Sequence, residues 1–264
     1  MNLLVRSIVR FFLAIIYKLS EKTLKLLEIE IGRVQGKGFG GETPDLEVRQ
    51  IRLLLGRMDE EIIVFDVGAH VGQYTQAVTE NIAGAKVYSF EPNTASYATL
   101  SKRFRNYPLV NCEKLAFSDK QTEGQLYFDS SGSPLSSLLK RDLRFMGIQS
   151  LESEIVRFET LDNYCEINNI IPTILKLDIE GHELAALLGG LKTLPKIHFV
   201  QFEFGGANKD SRTYFLDFWN LFTDNEFTLN RISPHKLIKI HAYDELDEHF
   251  RTTNFIAVNS RYYS

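Results

Sequence analysis

The stretch FDVGAHVGQYT, residues 65–75, places an acid, Asp66, at the end of an apolar run and follows it with Gly68 and Gly72 before a helical pattern begins. Glycines at such a strand-to-helix turn let the backbone approach a ligand closely. The spacing excludes a P-loop, because no Gly-Lys-[Ser/Thr] follows, and it is not the G-x-G-x-x-G of a dinucleotide turn. Asp66 would also repel a pyrophosphate at this position. An acid there suits a cationic or hydrogen-bond-donating group such as an amino-acid ammonium. Glu91, in SFEPN at the end of the next apolar run, can accept the hydroxyls of a ribose, as the corresponding acid does in dinucleotide folds. An amino-acid end and a ribose together point to S-adenosylmethionine.

Two more runs close on acids, TILKLD at Asp178 and IHFVQFEF at Glu203. In an open α/β sheet, ligands bind outside the carboxyl ends of the strands, so Asp66, Glu91, Asp178 and Glu203 are expected to line one crevice. Transfer to an unactivated hydroxyl needs alignment and removal of a proton. Asp178, His182 and Glu203 are the candidate catalytic residues, His182 because an imidazole titrates near working pH. Glu180 and Glu183 read equally well as acids matched to a first helical turn. The carboxylates and histidine show no spacing that compels a metal, and none is expected.

The elements that must position these residues alternate. Short β-rich runs at 62–66, 85–90, 109–117, 173–178 and 197–204 are separated by helical patterns, notably at 73–82, 93–105 and 181–193, which implies parallel strands joined by right-handed crossovers. Residues 118–160 interrupt the alternation and read as an insertion. GQLYFD is a candidate strand there, and SSGSPLSSLLKR a Ser-rich loop whose residues 130–138 form a lid, an acceptor-recognition loop or a plain connection. After a helix around 211–225, which holds the single Trp219, short strands and tight turns suggest an antiparallel ending.

The motifs VFDVGAHVGQYT, YSFEPNTASYATL, LAFSDKQTEGQLYF, SSLL, ETLDNYC, ILKLDIEGHELAALLGG and FVQFEF, in this order across about 62–204, resemble the FkbM family of S-adenosylmethionine-dependent methyltransferases. His70 stands where the family frequently has Asn. The resemblance implies a class I methyltransferase fold, an α/β Rossmann-like sheet of seven mostly parallel strands with a C-terminal antiparallel hairpin. It implies an O-methyltransferase acting on a hydroxyl, commonly of a sugar in a surface glycan or of a natural product. Carried over by residue, Asp66, Gly68 and Gly72 would shape the methionine pocket and Glu91 would hold the ribose. Ser118 and Asp119 would sit at the adenine. A non-catalytic cofactor-binding scaffold and an NAD-dependent dehydrogenase are the competing readings, the second opposed by the missing glycine pattern.

The 264 residues carry a net charge of −4, with 44% hydrophobic and 24% charged side chains. That balance fits a globular chain and gives no basic field for a nucleic-acid partner. Two cysteines at no metal spacing fit reduced thiols and a cytoplasmic location. The N-terminus stands apart: Leu4, Ile8, Phe11, Ile15 and Leu19 mark one helical face, and five basic residues against one acidic give residues 1–25 a net +4. Its uncharged apolar run is too short to span a bilayer. The segment is expected to pack on protein or to lie peripherally on the inner face of an anionic membrane through residues 1–26. The expected organisation is an amphipathic helical segment over 1–31, a linker over 32–44 with five of the seventeen glycines in 32–45, and a methyltransferase domain over 45–264.

Overall fold

The computed structural model describes residues 6–7, 10–13, 20–38, 44–56 and 60–263. Leu4, Ile8, Ile15 and Leu19 of the N-terminal stripe lie outside the described residues. The first long helix, α1 (Glu21–Val34), is capped by the Ser20 side chain, which accepts from the Thr23 backbone N–H. It keeps only Gly32 buried, and Glu28 meets Arg251 at 2.8 Å. Helix α2 (Pro44–Leu55) turns Val48, Ile51 and Leu55 into the core beside Val64, Val78 and Ile256.

Strands β1 (Ile63–Val67), β2 (Lys86–Phe90) and β3 (Val110–Glu113) alternate with helices α3 (Gln73–Asn81) and α4 (Thr94–Phe104). The chain then forms β4 (Ala116–Phe117), β5 (Thr122–Phe128), β6 (Glu152–Glu159) and helix α5 (Leu161–Asn168). It returns through β7 (Ile174–Leu177), helix α6 (Glu183–Leu188) and β8 (Phe199–Phe204). Helices α7 (Gly206–Ser211) and α8 (Phe215–Asp224) lead to β9 (Phe227–Ile232), β10 (Leu237–Lys239) and β11 (Thr253–Asn259).

The main sheet runs β10-β9-β11-β8-β7-β1-β2-β3. The five strands from β8 to β3 are parallel, and β11 is inserted antiparallel between β8 and β9. This is the class I methyltransferase order with one strand added, so the expected seven becomes eight. The extra strand is the three-residue β10, which pairs with β9 through the turn after Ile232. The order reverses beside β1, and a ligand crevice opens at such a switch point.

The sheet is covered by aromatic packing. Phe202 lies stacked with Phe218, Phe222 and Phe255 at centroid distances of 4.8, 5.1 and 5.4 Å. Around β1 and β2, Phe65, Phe90, Phe117 and Tyr164 meet edge to face. Each such phenylalanine, being fully buried, contributes about 2–3 kcal/mol by removal from water. Cys112 and Cys165 are free, and burial pushes their thiols up to about 11 and about 12.

Two local expectations are corrected. The run 109–117 is not one strand: after Glu113 the chain leaves the main sheet, and Ala116 and Phe117 pair instead with Phe158 and Glu159 of β6. Residues 118–160 hold the expected strand at GQLYFD, as β5, but also an unforeseen one, β6: with β4 they build a second sheet, β4-β6-β5, in which β5 and β6 pair over seven residues from Thr122↔Phe158 to Phe128↔Glu152. Ala116, Leu126, Val156 and Phe158 form its small core.

Candidate active site

A cavity of about 320 Å³ opens at the carboxyl ends of β1, β2, β7 and β8. The turn after β1 forms its floor. Gly68 sits there at φ +80°, and a Cβ on it would stand 1.9 Å from the Asp178 carbonyl oxygen. The two strand ends therefore close on each other only because position 68 has no side chain. Gly72, at φ +86°, serves the same turn from outside the cavity, where a Cβ would strike the Phe104 ring at 2.3 Å. The Gly68 and Ala69 N–H groups both donate to the Phe90 carbonyl at 3.0 Å, pinning the turn to β2.

Glu91 lines the cavity just past β2 and is 5% exposed. One of its carboxylate oxygens accepts from the His70 N–H and the other from the Asn93 N–H, each at 2.8 Å. Burial raises its pKa, and those two N–H groups oppose the rise. Two single backbone bonds fix the carboxylate and leave lone pairs on both oxygens for a diol. The His70 ring bonds the Gly132 carbonyl at 2.9 Å, which ties the Ser-rich loop to the turn. Ser133, Pro134, Ser136 and Leu138 of that loop form part of the wall, beside the apolar side chains of Leu115 and Phe117.

At the other end of the cavity stand Glu47, Asp178, Glu180 and Glu203. Asp178 is 41% exposed at its side chain and lies 3.5 Å from Lys176 Nζ. Burial, then Asp178, pushes Glu180 up to about 7, while the Arg141 guanidinium bonded to it pulls the other way. Glu180 adopts φ +51° and Gly181 +94°, an irregular backbone that carries the chain out of β7. Burial, then the neighbouring carboxylates of Asp178, Glu180, Glu183 and Glu47, raises Glu203 well above the ordinary range.

The sequence candidates separate into three positions. Gly68, Glu91, Asp178 and Glu203 line the cavity. Asp66 lies behind the wall, wholly buried, with Thr75 Oγ1 donating to its Oδ2 at 2.7 Å and the Lys176 ammonium paired with its Oδ1 at 3.1 Å. It shapes the turn through Lys176 and does not face the space a ligand would fill. Ser118, Asp119 and His182 form a cluster of their own outside the lining. Ser118 Oγ donates to Asp119 Oδ1 at 3.0 Å and shares a 2.9 Å hydrogen bond with His182 Nε2. Burial lowers the His182 pKa, with Asp119 acting against it. The expectation that His182 stands at the acceptor is corrected: the Glu180–Gly181 turn rotates it away from the cavity and toward Ser118.

Lys176, Glu47, Glu180 and Asn254 also line the cavity and were not among the candidates. Lys176 carried a signal, being a lone ammonium inside the apolar strand ILKL. Its Nζ also donates to the Gly68 carbonyl at 3.2 Å. Burial alone would draw its pKa down, but Asp66 and Asp178 hold it above the ordinary value. Among the described residues no group of three or more His, Cys, Asp or Glu is arranged to hold a metal ion. The residues present suit S-adenosylmethionine. Glu91 keeps lone pairs on both oxygens that could accept a diol, and Gly68 and Asp178 line the same space.

The family model for the methyltransferase FkbM domain matches residues 66–229. The hexuronic acid methyltransferase AglP of Haloferax volcanii is 26% identical over 150 residues, which cover 57% of this chain and 59% of that protein. The chain thus spans less than two thirds of that relative's length. Among solved structures, a SAM-dependent methyltransferase from Agrobacterium tumefaciens superposes with a TM-score of 0.46 at 8% identity, covering 83% of this chain and 63% of that one. A SAM-dependent O-methyltransferase from Thermotoga maritima superposes with a TM-score of 0.41 at 11% identity, covering 81% and 64%.

Proposed function

The chain belongs to the FkbM methyltransferase family, and from that premise we propose that it is an O-methyltransferase acting on a sugar hydroxyl of a glycan or related glycoside. The observation that carries this reading is one cavity with a buried diol acceptor, Glu91, at one end and carboxyl groups, Asp178 and Glu203, at the other. The relative from Haloferax volcanii is named for action on a hexuronic acid, which supports a sugar as the acceptor class.

S-adenosylmethionine, when bound, supplies an electrophilic methyl group and leaves as S-adenosylhomocysteine. The chain's own residues do the rest. Glu91 holds the ribose hydroxyls, and Gly68 gives the methionine portion room against the backbone. Asp178, beside the Lys176 ammonium at 3.5 Å, takes the hydroxyl proton onto a carboxylate oxygen as the oxygen–carbon bond forms. Glu203 hydrogen-bonds a second acceptor oxygen and orients the ring. Ser118 and Asp119 bear on the adenine end by closing the wall behind Phe117, and His182 holds Ser118.

We further propose that residues 1–26, whose basic side chains outnumber the acidic, touch an anionic membrane surface. Phe11 and Phe12 within them are exposed at 67 and 58%. No helix among the described residues is long and apolar enough to cross a membrane.

The test of the transfer reading is S-adenosylhomocysteine production with a glycoside panel. Asp178→Asn should lower kcat by about 10²–10⁴-fold with a much smaller change in KM, the loss expected of a general base. No turnover of any glycoside by a protein that binds the cofactor product would favour the scaffold reading.

A further inference from the structure

The acceptor end of the cavity is unusual in the balance of its charges. Glu47, Asp178, Glu180 and Glu203 all present carboxyl groups there, and the only lysine or arginine among the described lining residues is Lys176. Its ammonium is already engaged by Asp66 at 3.1 Å, Asp178 at 3.5 Å and the Gly68 carbonyl at 3.2 Å. Arg141, a cation paired with Glu180, is not among the lining residues. Its side chain is 8% exposed, and it is held between Glu180 and Asp210, the latter at 3.2 Å. Glu47 is occupied by the Gln201 and Asn254 side-chain amides at 2.7 and 2.8 Å.

A second observation points to what this end does bind. The Glu203 side chain faces the cavity and makes no hydrogen bond to another described residue. Burial, then the surrounding acids, raises its pKa, which favours the neutral form. A neutral carboxyl offers one donor and one acceptor side by side, the complement of a sugar hydroxyl. An anionic group brought here would meet carboxylates and, among the described lining residues, no cation beyond the already paired Lys176, in a partly water-excluded space where like charges repel strongly.

We propose, on the footing of the methyltransferase reading above, that the acceptor ring is a neutral sugar and that the site rejects uronates. Specificity arises from repulsion built into Glu180 and Asp178 as much as from contacts to the favoured ring. Arg141, which would be the natural partner of a sugar carboxylate, is withheld by Glu180 and Asp210.

The test compares matched pairs on the full chain: methyl glucoside against methyl glucuronide, their galacto and manno counterparts, and the neutral uronamide of each. Transfer is read as S-adenosylhomocysteine production, and binding by saturation-transfer NMR with S-adenosylhomocysteine present. The expected result is that the neutral sugar and the uronamide exceed the uronate by about 100-fold or more in kcat/KM, the scale of a like-charge clash. Glu180→Gln, which removes one carboxylate and releases Arg141, should narrow that gap. A uronate used as well as or better than its neutral partner overturns the proposal while leaving methyl transfer intact. A gap unchanged in Glu180→Gln overturns the assignment of the exclusion to this pair. Neutral members that bind in preference to uronates without being methylated would support the proposal and count against the transfer reading.

Discussion

Asp66 and Lys176 are register partners on adjacent parallel strands, and their side chains meet at 3.1 Å inside the protein. Lys176 reaches on to Asp178 at 3.5 Å, so one ammonium couples the glycine turn after β1 to the carboxylate at the end of β7. The acid that opens the glycine motif thus acts on the cavity through a lysine two residues before the candidate base. Lys176 also lies over the Tyr74 ring at 5.3 Å, which anchors it to the first turn of α3.

That relationship makes Lys176→Met a severe change. It leaves the Asp66 carboxylate fully buried beside no cation, and the unfolding free energy should fall by about 3–5 kcal/mol. The double variant Lys176→Met with Asp66→Asn should recover a large part of the loss. Urea unfolding of the three proteins measures it. Equal stabilities for the single and double variants would contradict the pairing.

The acids around the cavity give stability a pH dependence of definite sign. Glu183 is 1% exposed, and its Oε1 accepts from the Ile179 and Gly181 N–H groups at 2.9 and 3.2 Å, while Oε2 has no partner. Burial pushes its pKa from 4.5 to about 7. In the folded protein it keeps a proton that the unfolded chain has released, so its contribution is favourable below pH 4.5 and is lost as pH rises to about 7. Glu183→Gln, which keeps an acceptor for both N–H groups and cannot ionise, should be the more stable protein above pH 7, by up to about 3 kcal/mol. The two stability curves should converge toward pH 4. Parallel curves across that range would contradict the assignment.

The membrane reading is tested by removing residues 1–19, which leaves the Ser20 cap and α1 in place. The full chain should co-sediment with vesicles containing anionic lipid and be released by salt, as expected for charge-assisted binding. The truncated chain should stay in the supernatant, with its affinity for S-adenosylhomocysteine unchanged. Equal sedimentation of both would contradict it.

The parts of this architecture that were legible in the sequence rest on period and punctuation. IIVFD, AKVYSF, TILKLD and IHFVQFEF are short apolar runs closed by acids, and all four became strands of the main sheet within a residue or two. Glu91, Asp178 and Glu203 reach the cavity because a residue at or just past a strand's carboxyl end has one place to go. The second sheet was obscure because its pattern is thin. In ESEIVRFE only Val156 and Phe158 turn inward, and Ile155 is 71% exposed. The orientation of His182 was unreadable, since it depends on two successive positive-φ residues, Glu180 and Gly181. No alternation of residue types records that turn. Glu47 lies 154 and 207 positions from Gln201 and Asn254, the amides that donate to it, and nothing local announces the meeting.

The central claim is that Glu91 marks the cofactor end of the cavity, and the most direct measurement is calorimetric titration of S-adenosylhomocysteine into wild type, Glu91→Gln and Glu91→Ala. Wild type should bind in the micromolar range. Each variant should bind at least about 10-fold more weakly, the loss expected on removing hydrogen bonds to a charged acceptor, with thermal unfolding confirming that it remains folded. Absence of binding to wild type, or undiminished affinity in both folded variants, would contradict the account.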